Sequence, residues 1–214
     1  MTVLNKLASS LGRRDEVPNQ LLAEEIARSK NKDAVNELVE NLSNCDRRIQ
    51  NDCIKVLYEI GYRNPDLIAG HAGVFGDLLT SKQNRLVWGA MTALDSITLQ
   101  NPKEVFHLLP KILDTADKGS VITRDHAVGI LIKLASFKQY SDKCVPLIIE
   151  QLQACPGNQF PMYAEMSLPA VKPKNVNLFQ KTIGDRLETL EKNSQKKRIC
   201  RVLKQLASRS TSPT

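Results

Sequence analysis

Arg124, Asp125 and His126 stand side by side and supply the cation, acid and base that a proton relay uses. Successive residues of a helix point about 100° apart, so these side chains cannot hydrogen-bond to one another as the members of a catalytic triad do. No serine or cysteine nucleophile is implied beside them. We therefore predict that the chain has no catalytic residues and is not an enzyme.

The cysteines and histidines lack the spacing of a metal site. No two of the five cysteines form a CxxC pair, and the three histidines lie far from them along the chain. An odd number of cysteines, several of them in apolar stripes, is typical of a reducing compartment. We predict no metal, no cofactor and a cytoplasmic protein, because the chain also lacks a secretory h-region and any run of about 20 apolar residues.

Gly70, Gly73 and Gly76 recur at intervals of three residues. A glycine-rich loop can bring backbone N–H groups to a phosphate, but this one follows no predicted strand and precedes no Lys-Ser/Thr pair. We favour close helix packing as the role of the three glycines.

The excess positive charge lies in one segment. The chain has 214 residues and a formal net charge of +7, from 30 Lys/Arg and 23 Asp/Glu. Seven of the basic residues lie within 192–214, which contains no acid, so residues 1–191 are neutral overall. The sequence therefore does not encode a basic field over the whole protein.

Helical segments recur along the chain at an interval of 37 residues. The segments 53–61, 90–98 and 127–135 align, each with a small residue first and large apolar residues four and seven positions later. This spacing forms one stripe along a helix. The stripe residues are predicted to form seams between neighbouring helices, and they are Cys53, Ala90, Ala127, Leu57, Leu94, Leu131, Ile60, Ile97 and Leu134.

Another helix is predicted on the N-terminal side of each segment, and a fourth follows the last one. Asn64-Pro65 and Asn101-Pro102 end one unit and begin the next, because a residue before proline leaves the α region and proline suits a first helical turn. These first helices are predicted at 33–42, 67–79, 103–113 and 142–152.

The two-helix units resemble HEAT and armadillo repeats. RDHAVGILIKLA (124–135) is most similar to the second helix of a HEAT repeat, although Gln50 and Val87 stand where the earlier units would carry the matching arginine. The resemblance covers about residues 15–153 and continues in degenerate form to 208. It implies an all-α fold, an α-α superhelix built as a right-handed solenoid of about five to six helical hairpins.

The domain organisation follows from the repeats. We predict a single repeat domain over 1–208, with N-terminal capping helices in 1–30 and regular repeats in 31–153. Degenerate C-terminal repeats and a basic capping helix occupy 154–208, and the tail 209–214 is predicted to be disordered.

The second helices of such solenoids line the concave face, and this places Trp88 there. Trp88 is the only tryptophan, and Arg85 lies one turn before it. Trp and Arg dominate interface energetics, which favours a binding anchor, while half-burial against an adjacent unit is equally consistent with the sequence. The residues predicted on this face carry charges of both signs, and this mixture favours a protein or peptide partner. The predicted partner-binding residues are Arg48, Asn51, Lys55, Arg85, Trp88, Thr92, Arg124 and Asp125.

A basic amphipathic helix is predicted at 192–209. Ile199, Val202, Leu203 and Leu206 lie on one face. We favour a capping helix docked by this apolar face, although a basic outer face also suits an acidic protein, a nucleic acid or a membrane surface. The basic face consists of Lys196, Lys197, Arg198, Arg201 and Lys204.

The leading hypothesis is that the chain is a non-enzymatic scaffold that binds a protein partner on its concave face. The alternative is a nucleic-acid-binding HEAT-like protein related to the alkylpurine DNA glycosylases, which the repeats bring to mind. We rank it lower because such an enzyme needs several aromatic residues and an acid over a basic groove. A third possibility is a subunit or fragment of a larger assembly, docked through the basic tail.

Overall fold

The chain is built almost entirely from helices. The computed structural model describes residues 2–210. The described residues are 78% helical and contain twelve α-helices and no strand, with short 3-10 helices in several connections. The α-helices are α1 (Val17–Ser29), α2 (Lys32–Glu40), α3 (Arg47–Arg63), α4 (Ala72–Leu78), α5 (Asn84–Ile97), α6 (Pro102–His107), α7 (Leu109–Lys118), α8 (Val121–Ser136), α9 (Lys138–Ala154), α10 (Phe160–Met166), α11 (Val176–Asp185) and α12 (Asn193–Ser210).

The helices fall into two compact units. Residues up to Ala127 form the first unit, in which α3 packs against α1, α2 and α5, and α4 packs against α5 and α6. Residues from Val128 form the second, in which α11 and α10 each pack against α9 and α12. Helix α8 contributes residues to both units.

The nine stripe residues are buried as predicted. Cys53, Ala90 and Ala127 are at most 1% exposed, and the six leucines and isoleucines of the stripe are 0% exposed. Burying one such leucine or isoleucine side chain fully contributes about 1.5–3 kcal/mol, so the stripe stabilises the seams between these helices. The prediction of an all-α helical repeat is confirmed.

The Asn-Pro prediction holds at the second of the two dipeptides, whereas Pro65 opens only a 3-10 helix, Pro65–Leu67, and α4 begins later, at Ala72. Pro102 opens α6, and the Asn101 side chain accepts a hydrogen bond from the Glu104 N–H at 3.4 Å. The same amide donates to the carbonyl of Ala69 at 3.0 Å, which ties the start of one unit to the previous one. Asn101 therefore both ends a helix and connects two hairpins.

The opening segment differs from the predicted capping helix. Its only regular element is a 3-10 helix, Val3–Lys6. The N–H of Ala8 donates to Asn19 Oδ1 at 2.9 Å, and the N–H of Ser9 donates to Asp52 Oδ2 at 2.8 Å. An α-helix would need those two donors for its own carbonyls, so long-range side-chain acceptors replace helix propagation here.

The glycine prediction holds at one position of three. A Cβ on Gly76 would lie 2.6 Å from Leu108 Cδ2, so a close approach requires glycine there. A Cβ on Gly70 or Gly73 would meet nothing within 4 Å. Close packing is therefore the wrong explanation for Gly70 and Gly73, and Gly70 lies in a 3-10 helix that precedes α4.

The C-terminal boundary also shifts. Helix α12 continues to Ser210, so the first two residues of the predicted disordered tail are helical. The remainder of that tail, 211–214, lies outside the described residues. A single repeat domain over 1–208 stays a prediction.

Candidate functional site

A groove lies between α3 and α5 in the first unit. One part is a cavity of about 240 Å³, here called the Trp88 pocket, lined by Glu16, Asn51, Ile54, Lys55, Tyr58, Arg85, Trp88, Gly89, Thr92 and Ile122. A neighbouring cavity of about 510 Å³, the arginine pocket, shares Glu16, Asn51 and Arg85 with it. It is also lined by Ser9, Arg13, Arg14, Asp15, Arg48 and Asp52. The two pockets together are the α3–α5 groove.

Helical periodicity brings the lining side chains together. Residues at i, i+4 and i+7 of α3 and at i, i+3 and i+7 of α5 each lie on one helix face. The helices approach closely at Gly89, where a Cβ would lie 2.4 Å from Ile54 Cγ1. The residues on these two faces are Asn51, Lys55 and Tyr58, then Arg85, Trp88 and Thr92.

Lys55 is held by a network of charges inside the groove. Its ammonium lies 2.8 Å from Glu16 and 3.0 Å from Glu59, and 4.8 Å from the ring centroid of Tyr58. Burial alone would lower the pKa of Lys55, but hydrogen bonds to Glu16, Tyr58 and Glu59 outweigh it and raise that pKa above its ordinary value. The ion pair between Lys55 and Glu16 joins α3 to the segment before α1, and the Lys55 side chain is only 12% exposed.

A second polar network crosses from α5 to α8. His126 Nδ1 lies 2.9 Å from Asp95 Oδ2, and His126 Nε2 lies 2.9 Å from Thr92 Oγ1. The Thr92 hydroxyl also donates to the Trp88 carbonyl one turn earlier, at 2.9 Å. The order of acid, imidazole and hydroxyl is that of a catalytic triad, assembled from two helices rather than from adjacent residues.

The four arginines that line the arginine pocket differ in whether they form an ion pair with a carboxylate. Arg13 pairs with Asp15 at 2.9 Å, and Arg48 pairs with Asp46 at 2.8 Å. Within the described residues, no carboxylate lies within 4.0 Å of Arg14 or Arg85. Two of the guanidinium groups in this pocket therefore form no ion pair with a described residue.

Two buried polar atoms of the groove lack an internal partner. Asn51 Oδ1 and Ser9 Oγ are buried and accept or donate no hydrogen bond among residues 2–210. Most buried polar atoms in proteins are hydrogen-bonded, so each such atom requires an explanation. Both line the arginine pocket, and Asn51 also lines the Trp88 pocket.

Residues 2–210 contain neither a cluster of metal ligands nor a membrane-spanning helix. No group of three or more His, Cys, Asp and Glu side chains in that range could hold a metal ion. Nor is any helix there long and apolar enough to span a bilayer. All five cysteines are free thiols.

Comparison with known proteins decides the fold family. No family model matches the chain, and no curated protein matches it. Solved structures match over nearly its full length. A computationally designed armadillo repeat protein for modular peptide recognition is 13% identical, with 94% of this chain and 97% of that chain covered and a TM-score of 0.64. The chain has a HEAT/armadillo-like repeat fold.

Two further structures of this repeat fold are similar. A designed armadillo repeat protein in complex with the peptide (KR)4 is 14% identical, covering 96% of this chain and 100% of that chain, with a TM-score of 0.62. The archaeal HEAT-like repeats protein from Thermococcus onnurineus is 14% identical, covering 92% and 98%, with a TM-score of 0.53. Identities this low establish the repeat fold alone.

The repeat fold brings most of the predicted concave-face residues together. Five of the eight line the Trp88 pocket, and these are Asn51, Lys55, Arg85, Trp88 and Thr92. Arg48 lines only the arginine pocket, whereas Arg124 and Asp125 line neither. The Arg124 guanidinium instead donates to the carbonyls of Ala116 and Asp117, at 3.2 and 3.5 Å, so it secures the end of α7.

Thr92 requires a correction. The sequence places it among the partner-binding residues, but it is only 6% exposed and is bonded to His126 and Trp88. Helical spacing predicts the face of α5 on which Thr92 lies, but not how deeply its side chain is buried. The side chain lies at the bottom of the groove because it is short and stands between two larger neighbours. Trp88 itself is half-buried.

Sequence reasoning missed five lining residues of the Trp88 pocket, namely Glu16, Ile54, Tyr58, Gly89 and Ile122. Tyr58 lies seven positions after Asn51, on the same face of α3, so helical spacing could have identified it. Ile54 and Ile122 lie close in sequence to predicted partner-binding residues, Lys55 and Arg124 respectively. Glu16 comes from the segment before α1 and reaches Lys55 across space, and no local pattern signals that contact.

The predicted basic C-terminal residues lie on α12 and divide into two sets. Arg198 forms two hydrogen bonds with Glu165, at 2.8 and 2.6 Å. The other four, Lys196, Lys197, Arg201 and Lys204, line a shallow surface depression together with Asn193 and Cys200. Ile199, Val202 and Leu206, on the opposite side of α12, are at most 2% exposed.

Proposed function

We propose that this chain is a non-enzymatic interaction module whose α3–α5 groove binds a segment of a protein or peptide partner. Two designed armadillo repeat proteins of the same fold support the proposal, one made for modular peptide recognition and one solved with the peptide (KR)4. In this reading, the concave surface presented by the second helices of the repeats is the recognition surface.

The chemistry of the groove carries the proposal. Trp, Tyr and Arg are the residues most enriched at binding hot spots, and the Trp88 pocket has one of each in Trp88, Tyr58 and Arg85. A cavity of about 240 Å³ is smaller than the roughly 300–1,000 Å³ of small-molecule sites, so it suits one large side chain better than a cofactor.

The unpartnered polar atoms fit a polypeptide. Asn51 Oδ1 is an acceptor that no described residue uses, and the same side-chain amide carries two N–H donors. A peptide backbone presents both a donor and an acceptor at each residue. We expect Asn51 to bond to the partner's main chain while an apolar side chain of the partner occupies the space beside Trp88.

The triad-like network does not favour catalysis. Thr92 lies in the middle of α5, where backbone N–H groups already bond to carbonyls four residues earlier. No oxyanion hole can form from those N–H groups beside the Thr92 hydroxyl. We infer that Asp95 and His126 fix α8 to α5 and hold the floor of the groove.

The glycosylase alternative receives less support. Such an enzyme needs an acid available beside its aromatic residues. Glu16, the carboxylate in the Trp88 pocket, is held by Lys55 at 2.8 Å. We therefore keep the interaction module as the proposal.

A selection experiment tests this function. Peptides are selected from a random display library on the full chain, and their affinities are measured by calorimetry. Trp88→Ala is expected to weaken binding about 30-fold or more, because a hot-spot tryptophan is worth about 2 kcal/mol or more. Leu99→Ala serves as the control, since Leu99 is 49% exposed and lies outside the groove.

A second pair of variants tests the charged part of the groove. Arg85→Ala is expected to weaken binding, whereas Lys82→Ala, at an exposed position in the bend before α5, is expected to have no effect. If Trp88→Ala and Arg85→Ala leave every selected peptide bound as tightly as the controls do, the groove is not the recognition surface.

We also propose that the protein works in a reducing compartment such as the cytoplasm. Cys53, Cys144 and Cys155 are buried as free thiols. Buried free thiols persist most readily where glutathione and thioredoxin keep them reduced.

A further inference from the structure

The outer face of α12 carries four basic side chains that lie together around one surface depression. Lys196, Lys197, Arg201 and Lys204 fall within an arc of about 140° around the helix axis, as the turn of 100° per residue requires. They extend over about 12 Å of helix length, at 1.5 Å per residue. We call this surface the α12 basic face.

The four basic side chains of this face form no ion pair with a described residue, although Arg201 is close enough to Glu165 to help lower the pKa of that carboxyl. Within the described residues, no carboxylate lies within 4.0 Å of the four side chains. Arg198 differs, because its guanidinium bonds to Glu165 and holds the pKa of that carboxyl below its ordinary value. Residues 192–214 contain no acid at all, so the face gains no screening from its own segment.

The side chains between the cations limit what can bind. Residues 192–210 contain no aromatic side chain, so the face cannot stack on the bases of a single strand. Its apolar members are Cys200 and Ala207, which are too small to insert into a lipid bilayer. Charge is therefore the only property that the face offers.

The density of that charge fits a nucleic-acid duplex. Four cations spread over about 12 Å have a mean spacing of about 4 Å along the helix, similar to the 3.4 Å per phosphate that each strand of a duplex presents. Contacts to phosphates position a protein on a duplex and read no sequence.

We propose that the α12 basic face binds the phosphate backbone of a nucleic-acid duplex without sequence preference. This site is separate from the α3–α5 groove, and the proposal does not depend on peptide binding there. Lys196, Lys197, Arg201 and Lys204 each contact phosphate, while Ile199, Val202 and Leu206 keep α12 docked on the second unit.

Salt dependence of duplex binding tests the proposal. Anisotropy of a labelled DNA duplex of about 20 base pairs is measured with the full chain from about 50 to 200 mM salt. Four neutralised phosphates give a slope of log affinity against log salt of about −3.6, so affinity falls about 150-fold across that range. Lys196→Gln/Lys204→Gln is expected to bring the slope to about −1.8.

A matched variant controls for net charge. Lys138→Gln/Lys181→Gln removes two exposed lysines of the same unit, and neither side chain forms an ion pair among the described residues. It is expected to keep the slope and affinity of the wild type. Two duplexes of unrelated sequence are expected to bind equally.

Several results would overturn the proposal. One is a chain that does not bind the duplex at about 50 mM salt, and another is an equal loss in both double variants. The proposal also fails if phosphatidylserine vesicles or poly-glutamate bind the α12 basic face more tightly than the duplex. Circular dichroism of each variant excludes loss of α12 as the cause.

Discussion

Replacing Gly89 by alanine tests the close approach of α3 and α5 that shapes the groove. A Cβ at position 89 would lie 2.4 Å from Ile54 Cγ1, 3.2 Å from Cγ2 and 3.3 Å from Cβ. Ile54 is β-branched and 2% exposed, so it cannot rotate away. One of the two helices must move, which costs about 1–3 kcal/mol in a packed core.

A second effect opposes this cost. Alanine is favoured over glycine inside a helix by about 1 kcal/mol. We therefore expect Gly89→Ala to lower the free energy of unfolding by up to about 2 kcal/mol. Gly73→Ala is the matched control, because its Cβ would meet nothing within 4 Å, and it is expected to raise that free energy by about 0.4–1 kcal/mol.

Urea denaturation followed by the fluorescence of Trp88, the only tryptophan, measures both values. A double-mutant cycle isolates the contact: in an Ile54→Ala background the obstructing Cγ atoms are gone, and Gly89→Ala is expected to become stabilising. If Gly89→Ala stabilises as much as Gly73→Ala, and adds to Ile54→Ala without coupling, the helices do not meet as described.

Three other predictions concern the core, the charge network and the thiols. Leu94→Ala is expected to destabilise by about 2.7–5 kcal/mol, while Leu99→Ala, at an exposed position, changes stability by less than about 0.5 kcal/mol; equal effects in urea denaturation would contradict the seam. Lys55→Met is expected to destabilise by about 1–3 kcal/mol at pH 7, because it leaves Glu16 and part of Glu59 unpaired. The pKa of Glu59 is lowered, since hydrogen bonds from Arg63 and Lys55 outweigh burial, so its stabilisation is present above about pH 4.3 and is lost as pH falls through the folded-state pKa. Lys55→Met should therefore flatten the dependence of unfolding free energy on pH between 7 and about 3, and an unchanged dependence would contradict the network. Burial raises the pKa of Cys53 to about 12 and that of Cys144 to about 11, so at pH 8 a thiol reagent should label only Cys45 and Cys200 in the folded chain; rapid labelling of a third thiol would contradict that burial.

The helix seams could be predicted from the sequence because their cause is local and periodic. A small residue followed by large apolar ones at +4 and +7 makes a stripe whatever surrounds it, and its recurrence after 37 residues identifies the stacking partner. The same periodicity identified the groove face that contains Asn51, Arg85 and Trp88.

Contacts between segments far apart in sequence could not be predicted in this way. Asn19 and Asp52 capture two backbone donors of the opening segment and stop its helix, and nothing in MTVLNKLASS signals those acceptors. His126 meets Asp95 rather than its neighbour Asp125 in a pairing that only the packed helices define. The depth of Thr92 follows from that same pairing.

Hydrogen–deuterium exchange with a selected peptide tests the central claim most directly. Peptide binding to the full chain is expected to slow exchange in α3 and α5, residues Arg47–Arg63 and Asn84–Ile97, more than elsewhere. Protection confined to other helices, with α3 and α5 exchanging as in the free chain, would contradict the assignment of recognition to the α3–α5 groove.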